Sequence, residues 1–139
     1  MKAVVLSIKP EYVDKIFAGL KKYEFRKHLA KENIDMIFLY STAPVSRIVG
    51  VATIEGQLSS APSTLWEQTK QYAGITRAKY REYFYGYKIA YAYKLGKVHR
   101  FEKEKTLEDF MLSTAPQSFV YIKGDLIYRN WIKWIENKI

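Results

Sequence analysis

Several features are missing from this chain of 139 residues, and each absence removes a class of function. There is no cysteine, which excludes disulfides, thiolate metal sites and cysteine nucleophiles. The two histidines, His28 and His99, have no carboxylate at ligand spacing, so we predict no bound metal ion. No P-loop, dinucleotide fingerprint or Gly-x-Ser-x-Gly motif occurs, and we therefore predict no cofactor.

Long apolar stretches are also missing. No run of ~18 apolar residues occurs, and the opening MKAVVLSIKP has neither the length nor the cleavage site of a signal peptide. No predicted helix combines a basic face with a wide apolar face, as a helix lying on a membrane would. We therefore expect a cytoplasmic protein that does not bind membranes.

Positive charge and aromatic side chains are abundant. The chain has 23 Lys and Arg residues against 14 Asp and Glu, a formal net charge of +9, and 12 tyrosines. A basic surface favours anionic partners, and aromatic side chains beside the charge favour nucleic acid because bases stack on them. The alternative is a basic soluble protein without a nucleic-acid ligand.

The length and the residue pattern predict one α+β domain over residues 1–139. Five to seven strands with inserted helices and no βαβ alternation predict a small, mostly antiparallel β-barrel. The predicted strands cover residues 3–8, 21–27, 34–40, 47–57, 87–95, 98–101 and 119–122. In the strand over residues 47–57, Gly50 and Gly56 are expected to be bulges or bends.

Helix signals lie between and after these strands. Pro10 suits the start of a first helix that Gly19 ends, and Thr64 and Glu67 have the spacing of a capping box for a second helix. Thr76 is expected to cap a third helix, residues 106–111 a short helical turn, and Asp125 a last helix over residues 125–138.

The predicted strand over residues 87–95 has an unusual face. Ala90 and Ala92 alternate there with Lys88 and Lys94. Because alanine side chains are small, this face leaves room either for a ligand or for a helix packed against the strand. The sequence leaves both interpretations open.

The most informative segment has the form Gly-x-Lys-x-x-Glu-x-Arg, with Gly19, Lys21, Glu24 and Arg26 at the defined positions. Glu24 and Arg26 have the same strand parity and can form an ion pair. Lys21 joins them only if the chain bends as it leaves Gly19. Such a lysine, beside a second cation and partly buried, would have a lowered pKa. The alternative is a solvated strand face with a salt bridge.

This motif, together with Leu6-Ser7-Ile8-Lys9-Pro10 before it, resembles the opening of ASCH domains, which are PUA-like. Residues 37–41, 48–50, 83–86 and 116–119 resemble later landmarks of that family, so the similarity covers most of residues 2–123. The resemblance implies a PUA-like barrel core over about 2–123, with a cleft between barrel and helices. It also implies an RNA-associated role in translation or transcription regulation. The implied cleft residues are Gly19, Lys21, Glu24 and Arg26, with Ser41, Gln117 and Ser118 as further candidates.

The resemblance leaves open whether the protein is an enzyme. One ASCH branch hydrolyses acetylcytidine with a motif lysine, a threonine and a helix glutamate, and other members are linked to RNA cleavage. Here Glu24 stands where that branch has threonine, and the predicted second helix offers only Glu67.

Our main hypothesis is therefore a domain that binds RNA or a nucleotide. The alternative is a hydrolase acting on RNA or a modified nucleoside, with Lys21 as base and Glu24 as acid or water-orienting group. An adaptor that binds another protein is the third hypothesis.

Overall fold

The computed structural model describes residues 2–122. Within them a six-stranded mixed sheet curves into a half-barrel, with three α-helices beside it. The α+β, mostly antiparallel barrel expected from the sequence is confirmed. The elements are β1 (Ala3–Ile8), α1 (Pro10–Phe17), β2 (Tyr23–Arg26), β3 (Met36–Ser41), β4 (Arg47–Ser60), α2 (Pro62–Thr69), α3 (Arg77–Tyr83), β5 (Ala90–Lys105) and β6 (Phe119–Tyr121), with 3-10 turns at Lys70–Tyr72 and Glu108–Phe110.

The strand order is β2-β5-β4-β3-β1-β6. β1 and β3 are parallel, and the other neighbouring pairs are antiparallel. The long β4–β5 hairpin changes register near Gly50 and Gly56, where the sequence predicts bulges. β2 and β6 lie at opposite ends of this order, yet Arg26 in β2 donates a hydrogen bond to the Ser118 hydroxyl just before β6. The two edges of the curved sheet therefore meet at this point.

Apolar side chains cover both faces of the central strands. β1 and β3 are buried almost throughout, which explains why their sequences are nearly continuous apolar runs rather than alternating ones. One cluster packs α1 against the sheet, and a second covers the opposite face with the turn around Phe110. A third cluster joins α2 and α3 to β2 and β5.

This third cluster answers the question about the alanine face. Ala90 and Ala92 are fully buried under Leu65 of α2 and under Tyr80 and Phe84 of α3. The small side chains of β5 therefore allow helices, and not a ligand, to approach the sheet closely.

Two local predictions, one about a helix and one about a strand, are wrong, and a second prediction about a helix is confirmed. α2 begins at Pro62 after Ala61, so Thr64 lies inside the helix and forms no capping box; proline at the first helical position starts the helix earlier. The strand predicted from residue 87 begins only at Ala90. The hydroxyl of Thr76 does accept a hydrogen bond from the Lys79 N–H, at 3.2 Å, and caps α3.

Some expectations concern residues beyond the described range. The predicted helix over residues 125–138 lies outside the described residues, and the single domain over 1–139 stays a prediction. No helix within residues 2–122 is both long and apolar enough to cross a bilayer.

Candidate functional site

The chain reverses direction after α1, and this turn positions Lys21. Gly19 has a left-handed backbone conformation (φ +78°), which glycine adopts at little cost. The N–H groups of Leu20 and Lys21 both donate to the Lys15 carbonyl, at 2.9 and 3.2 Å, and so wrap the chain around the end of the helix. β2 then begins at Tyr23. The bend that the sequence analysis required after Gly19 is present.

The Lys21 side chain is buried, with 4% of its surface exposed. Its stem lies across Gly74, where an added Cβ would be only 2.4 Å from the Lys21 Cβ. Its Nζ donates a 2.8 Å hydrogen bond to the Ala73 carbonyl and lies 5.3 and 4.9 Å from the ring centres of Tyr12 and Phe25. An ammonium group has three N–H donors, and Ala73 accepts from one of them. No other residue within the range 2–122 accepts from the remaining two donors, so they are available to a ligand.

Glu24 is the second buried charged residue of the site. Its Oε1 lies 4.0 Å from Nη1 of Arg26, an ion pair without a direct hydrogen bond. Its Oε2 is fully buried and has no hydrogen-bond partner within the described residues. Arg26 donates from Nη2 to the Ser118 hydroxyl, which fixes the guanidinium beside the carboxylate. Glu24 therefore has one acceptor oxygen that nothing in the described protein uses.

These side chains line one cavity of about 500 Å³ between the edge of the sheet and helices α1 and α3. Its wall combines cations, two carboxylates, hydroxyls and aromatic rings, so it is suited to a ligand with both polar and planar parts. We call it the main pocket. Its lining residues are Ser7, Ile8, Lys9, Tyr12, Lys21, Glu24, Phe25, Arg26, Ile75, Lys79, Glu82 and Tyr83.

Burial shifts the pKa values of the two central groups in opposite directions. Desolvation lowers the pKa of Lys21; Glu24 opposes this shift, and Lys15 adds to it. Desolvation raises the pKa of Glu24, while the positive charges of Lys21 and Arg26 oppose that shift. Both shifts move toward neutral pH, so each group can exchange a proton more readily there than an exposed lysine or glutamate.

The structure brings together most of the residues that the sequence predicted. Lys21, Glu24 and Arg26 share the main pocket, Gly19 forms the turn before it, and Ser118 holds Arg26.

The two remaining candidates lie outside the lining. Ser41 is buried at the end of β3, and Gln117 is exposed before β6. Neither belongs to the pocket wall, and the functional roles of all seven candidates stay predictions.

Sequence reasoning missed several pocket residues. Helical spacing predicts Tyr12 only as part of the apolar stripe of α1, and strand parity predicts Phe25 on the face away from Glu24. Both rings nevertheless line the pocket, because the site lies at the edge of the sheet. Ser7 and Tyr83 lie in segments that resemble ASCH domains, but the sequence did not mark them as pocket residues. Tyr83 comes from α3, far along the chain, and only the fold brings it to β2.

Fold and site together define a small half-barrel with a cationic pocket between its sheet edge and its helices. The family model for the ASCH domain matches residues 6–136, and the chain therefore belongs to the ASCH domain family. The resemblance inferred from the Gly19–Arg26 motif is confirmed.

Two relatives from Zymomonas mobilis agree with this assignment. An ASCH domain-containing ribonuclease of Zymomonas mobilis is 33% identical over 95 residues, which are 68% of this chain and 64% of that protein. The crystal structure of ASCH from Zymomonas mobilis has a TM-score of 0.84 and 26% identity, covering 95% of this chain and 94% of that one. ATP synthase subunit alpha of Ureaplasma parvum is 28% identical over 88% of this chain, but only over 15% of its own length. The chain thus spans less than two thirds of these two sequence relatives.

Proposed function

We propose that this protein binds single-stranded RNA and that the main pocket holds one of its nucleotides. Lys21 and Arg26 contact a phosphate, and Glu24 accepts a hydrogen bond from a ribose hydroxyl or a base amino group. The observation that carries this proposal is the Oε2 of Glu24, which is buried and has no hydrogen-bond partner among the described residues. In the same pocket, Lys21 has two donors that no described residue accepts from. Buried polar atoms normally have partners, so a ligand with both an acceptor and a donor completes this site.

The choice of RNA rests on two further observations. The chain carries a net charge of +9, which attracts a polyanion, and the rings of Tyr12, Phe25 and Tyr83 in the pocket wall offer surfaces for a base. The Zymomonas mobilis relative has an ASCH domain and is named a ribonuclease, and this name supports RNA as the proposed ligand. Roles in translation or transcription regulation remain part of this proposal.

A charge-neutral double substitution tests the proposal. Lys21→Met with Glu24→Gln removes the two buried charged groups, one positive and one negative, so the net charge does not change. We expect the affinity for a short single-stranded RNA to fall about 10- to 100-fold, the range for losing charged hydrogen bonds. The matched control is Lys94→Met with Glu55→Gln, which removes an exposed pair 3.7 Å apart outside the pocket. Equal affinities for the two variants, both folded by circular dichroism, would contradict the proposal.

A second candidate function is cleavage of the bound RNA, and the opposite pKa shifts of Lys21 and Glu24 favour it. Neutral Lys21 would take the proton of a ribose 2′-hydroxyl as its oxygen attacks the adjacent phosphorus. The bond from phosphorus to the 5′-oxygen breaks, and protonated Glu24 gives its proton to that leaving oxygen. The products are a 2′,3′-cyclic phosphate and a 5′-hydroxyl.

Product analysis distinguishes binding from cleavage. Wild-type protein is incubated with short RNA and, separately, with an acylated nucleoside. RNA ends with a cyclic phosphate that disappear with Lys21→Met and with Glu24→Gln support the nuclease. Release of the acyl group would indicate a nucleoside hydrolase instead. Turnover that survives both substitutions would assign the activity to a contaminant.

A further inference from the structure

A second cavity of about 640 Å³ lies on the other side of α3. We call it the α2–α3 groove, because both helices form its walls. Lys79, Glu82 and Tyr83 of α3 line the main pocket, whereas other residues of the same helix line the groove, so α3 is the common wall of both cavities. The groove is lined by Pro62, Ser63, Thr64, Trp66, Glu67, Arg77, Tyr80, Arg81 and Phe84.

The aromatic surface of the groove is held in place from behind. Tyr80 is almost fully buried, and its hydroxyl donates a 2.6 Å hydrogen bond to the Pro62 carbonyl, which ties α3 to the start of α2. The Trp66 ring lies 4.9 Å from the Tyr80 ring and is only partly buried. Trp66 therefore offers a fixed aromatic surface to the groove, with little conformational entropy to lose when a planar group stacks on it.

Two exposed arginines stand beside this aromatic surface. Arg77 and Arg81 are one helical turn apart on α3, so their Cβ atoms lie about 5–6 Å from each other. Neither forms an ion pair with a carboxylate among residues 2–122. Glu67 also lines the groove and interacts electrostatically with Arg77, but its Oε2 lies 2.7 Å from the Lys70 ammonium, which offsets most of its charge. The groove thus offers an aromatic platform and two available cations.

We propose that the α2–α3 groove binds further nucleotides of the same RNA strand, with a base stacked on Trp66 and phosphates contacted by Arg77 and Arg81. This inference rests on the proposed function, because it extends the strand from the main pocket across α3. A helix with its side chains is about 10–12 Å wide, which about three or four stacked nucleotides at ~3.4 Å each would span. A cationic groove with a stacking ring has the chemistry of single-strand binding sites, and this favours RNA over a protein partner.

The dependence of affinity on salt tests the phosphate contacts. Each phosphate contact on a single strand contributes about 0.7 to the slope of log affinity against log salt. For a strand of ~10 nucleotides, Arg77→Gln with Arg81→Gln should make this slope shallower by about 1.4. The matched control is Arg47→Gln with Lys103→Gln. It removes the same charge from exposed residues of β4 and β5 that line neither cavity. A dinucleotide, which fills only the main pocket, should bind both double variants equally.

Tryptophan fluorescence tests the stacking contact. We expect the ~10-nucleotide strand to quench the fluorescence of the wild-type protein, and we expect this quenching to be lost in Trp66→Phe, which keeps the ring packing on Tyr80. The remaining tryptophans, Trp131 and Trp134, serve as the internal reference. Unchanged quenching in the variant would overturn the stacking assignment.

The outcomes separate this inference from the proposed function. If the arginine variant has the slope of its matched control, while the variant lacking Lys21 and Glu24 loses affinity, the groove is not part of the RNA path. In that case the inference is wrong and the main pocket stands; the groove would then be free to serve a protein partner. If both variants bind RNA like the wild type, the proposed function itself has failed.

Discussion

The two cavities on either side of α3 hold their charges in different ways. In the main pocket, Lys21 and Glu24 are buried and depend on each other, whereas Arg77 and Arg81 in the α2–α3 groove remain in water. Burying a charge costs several kcal/mol before any contact offsets it, while an exposed charge costs almost nothing. The buried charges of the main pocket therefore lower the stability of the folded protein, whereas the exposed charges of the groove do not. We infer that the charges in the main pocket are there for function and not for stability.

Single substitutions should reveal the largest difference between the cavities. Lys21→Met removes one of the two positive charges that act on the buried Glu24 carboxylate and leaves only Arg26, at 4.0 Å. We expect it to lower the free energy of unfolding by about 3 kcal/mol. Arg81→Met, which removes one cation from the groove, should change it by less than about 0.5 kcal/mol. Urea titrations of both variants measure the two values. If the two variants lose similar amounts of unfolding free energy, the described difference between the buried charges of the main pocket and the exposed charges of the groove is wrong.

The combined variant sharpens the same point. When Lys21→Met and Glu24→Gln are made together, the buried ammonium and the buried carboxylate are both removed, and Arg26 keeps its hydrogen bond to the Ser118 hydroxyl. Replacing a buried pair in this way is often neutral or stabilising by about 1–4 kcal/mol, so most of the loss seen in the single variant should be recovered. A double variant as unstable as Lys21→Met alone would indicate that the pair is a structural element rather than a binding site.

Glycine substitutions test the packing that supports the pocket. Gly74 and Gly86 both have left-handed backbones, with φ of +65° and +83°. Alanine at either position costs about 1–2 kcal/mol in backbone strain. At Gly74 the new Cβ would also meet the Lys21 stem at 2.4 Å, whereas at Gly86 it meets nothing within 4 Å. We therefore expect Gly74→Ala, and not Gly86→Ala, to reduce RNA affinity as well. Equal affinities would show that the position of the Lys21 amine does not matter for binding.

The smallest effect is the pH dependence of stability. The folded pKa of Lys21 lies below its ordinary 10.5, so between the two values the unfolded chain binds more protons and stability rises with pH. The folded pKa of Glu24 lies above 4.5, so stability falls as pH rises from 4.5 through that folded value. The double variant should lack both changes when its unfolding is measured across pH. If the free energy of unfolding depends on pH in the same way for the wild type and the double variant, the described pKa shifts of Lys21 and Glu24 are wrong.

The sequence predicted the parts of this account that depend on neighbouring residues. The turn at Gly19, the bulges near Gly50 and Gly56, and the capping of α3 by Thr76 follow from local backbone preferences. The grouping of Lys21 with Glu24 and Arg26 was also predictable, because a short segment contains all three residues and a single bend brings them together.

Contacts between distant segments were not predictable in this way. Tyr83 reaches the main pocket, and Trp66 reaches Tyr80, only because α2 and α3 pack on the alanines of β5. The alanine pattern was visible in the sequence, but it allowed a ligand or a helix equally well. Local signals also competed at the start of α2, where Pro62 began the helix before the capping pattern at Thr64 could do so.

A crystal structure of the protein with a short single-stranded RNA would test the central claim most directly. The quantity to measure is the distance from the Lys21 Nζ to the nearest phosphate oxygen. We predict a hydrogen bond of about 2.7–2.9 Å, with a ribose or base donor on the Oε2 of Glu24. RNA bound elsewhere on the surface, with the main pocket empty, would contradict the account.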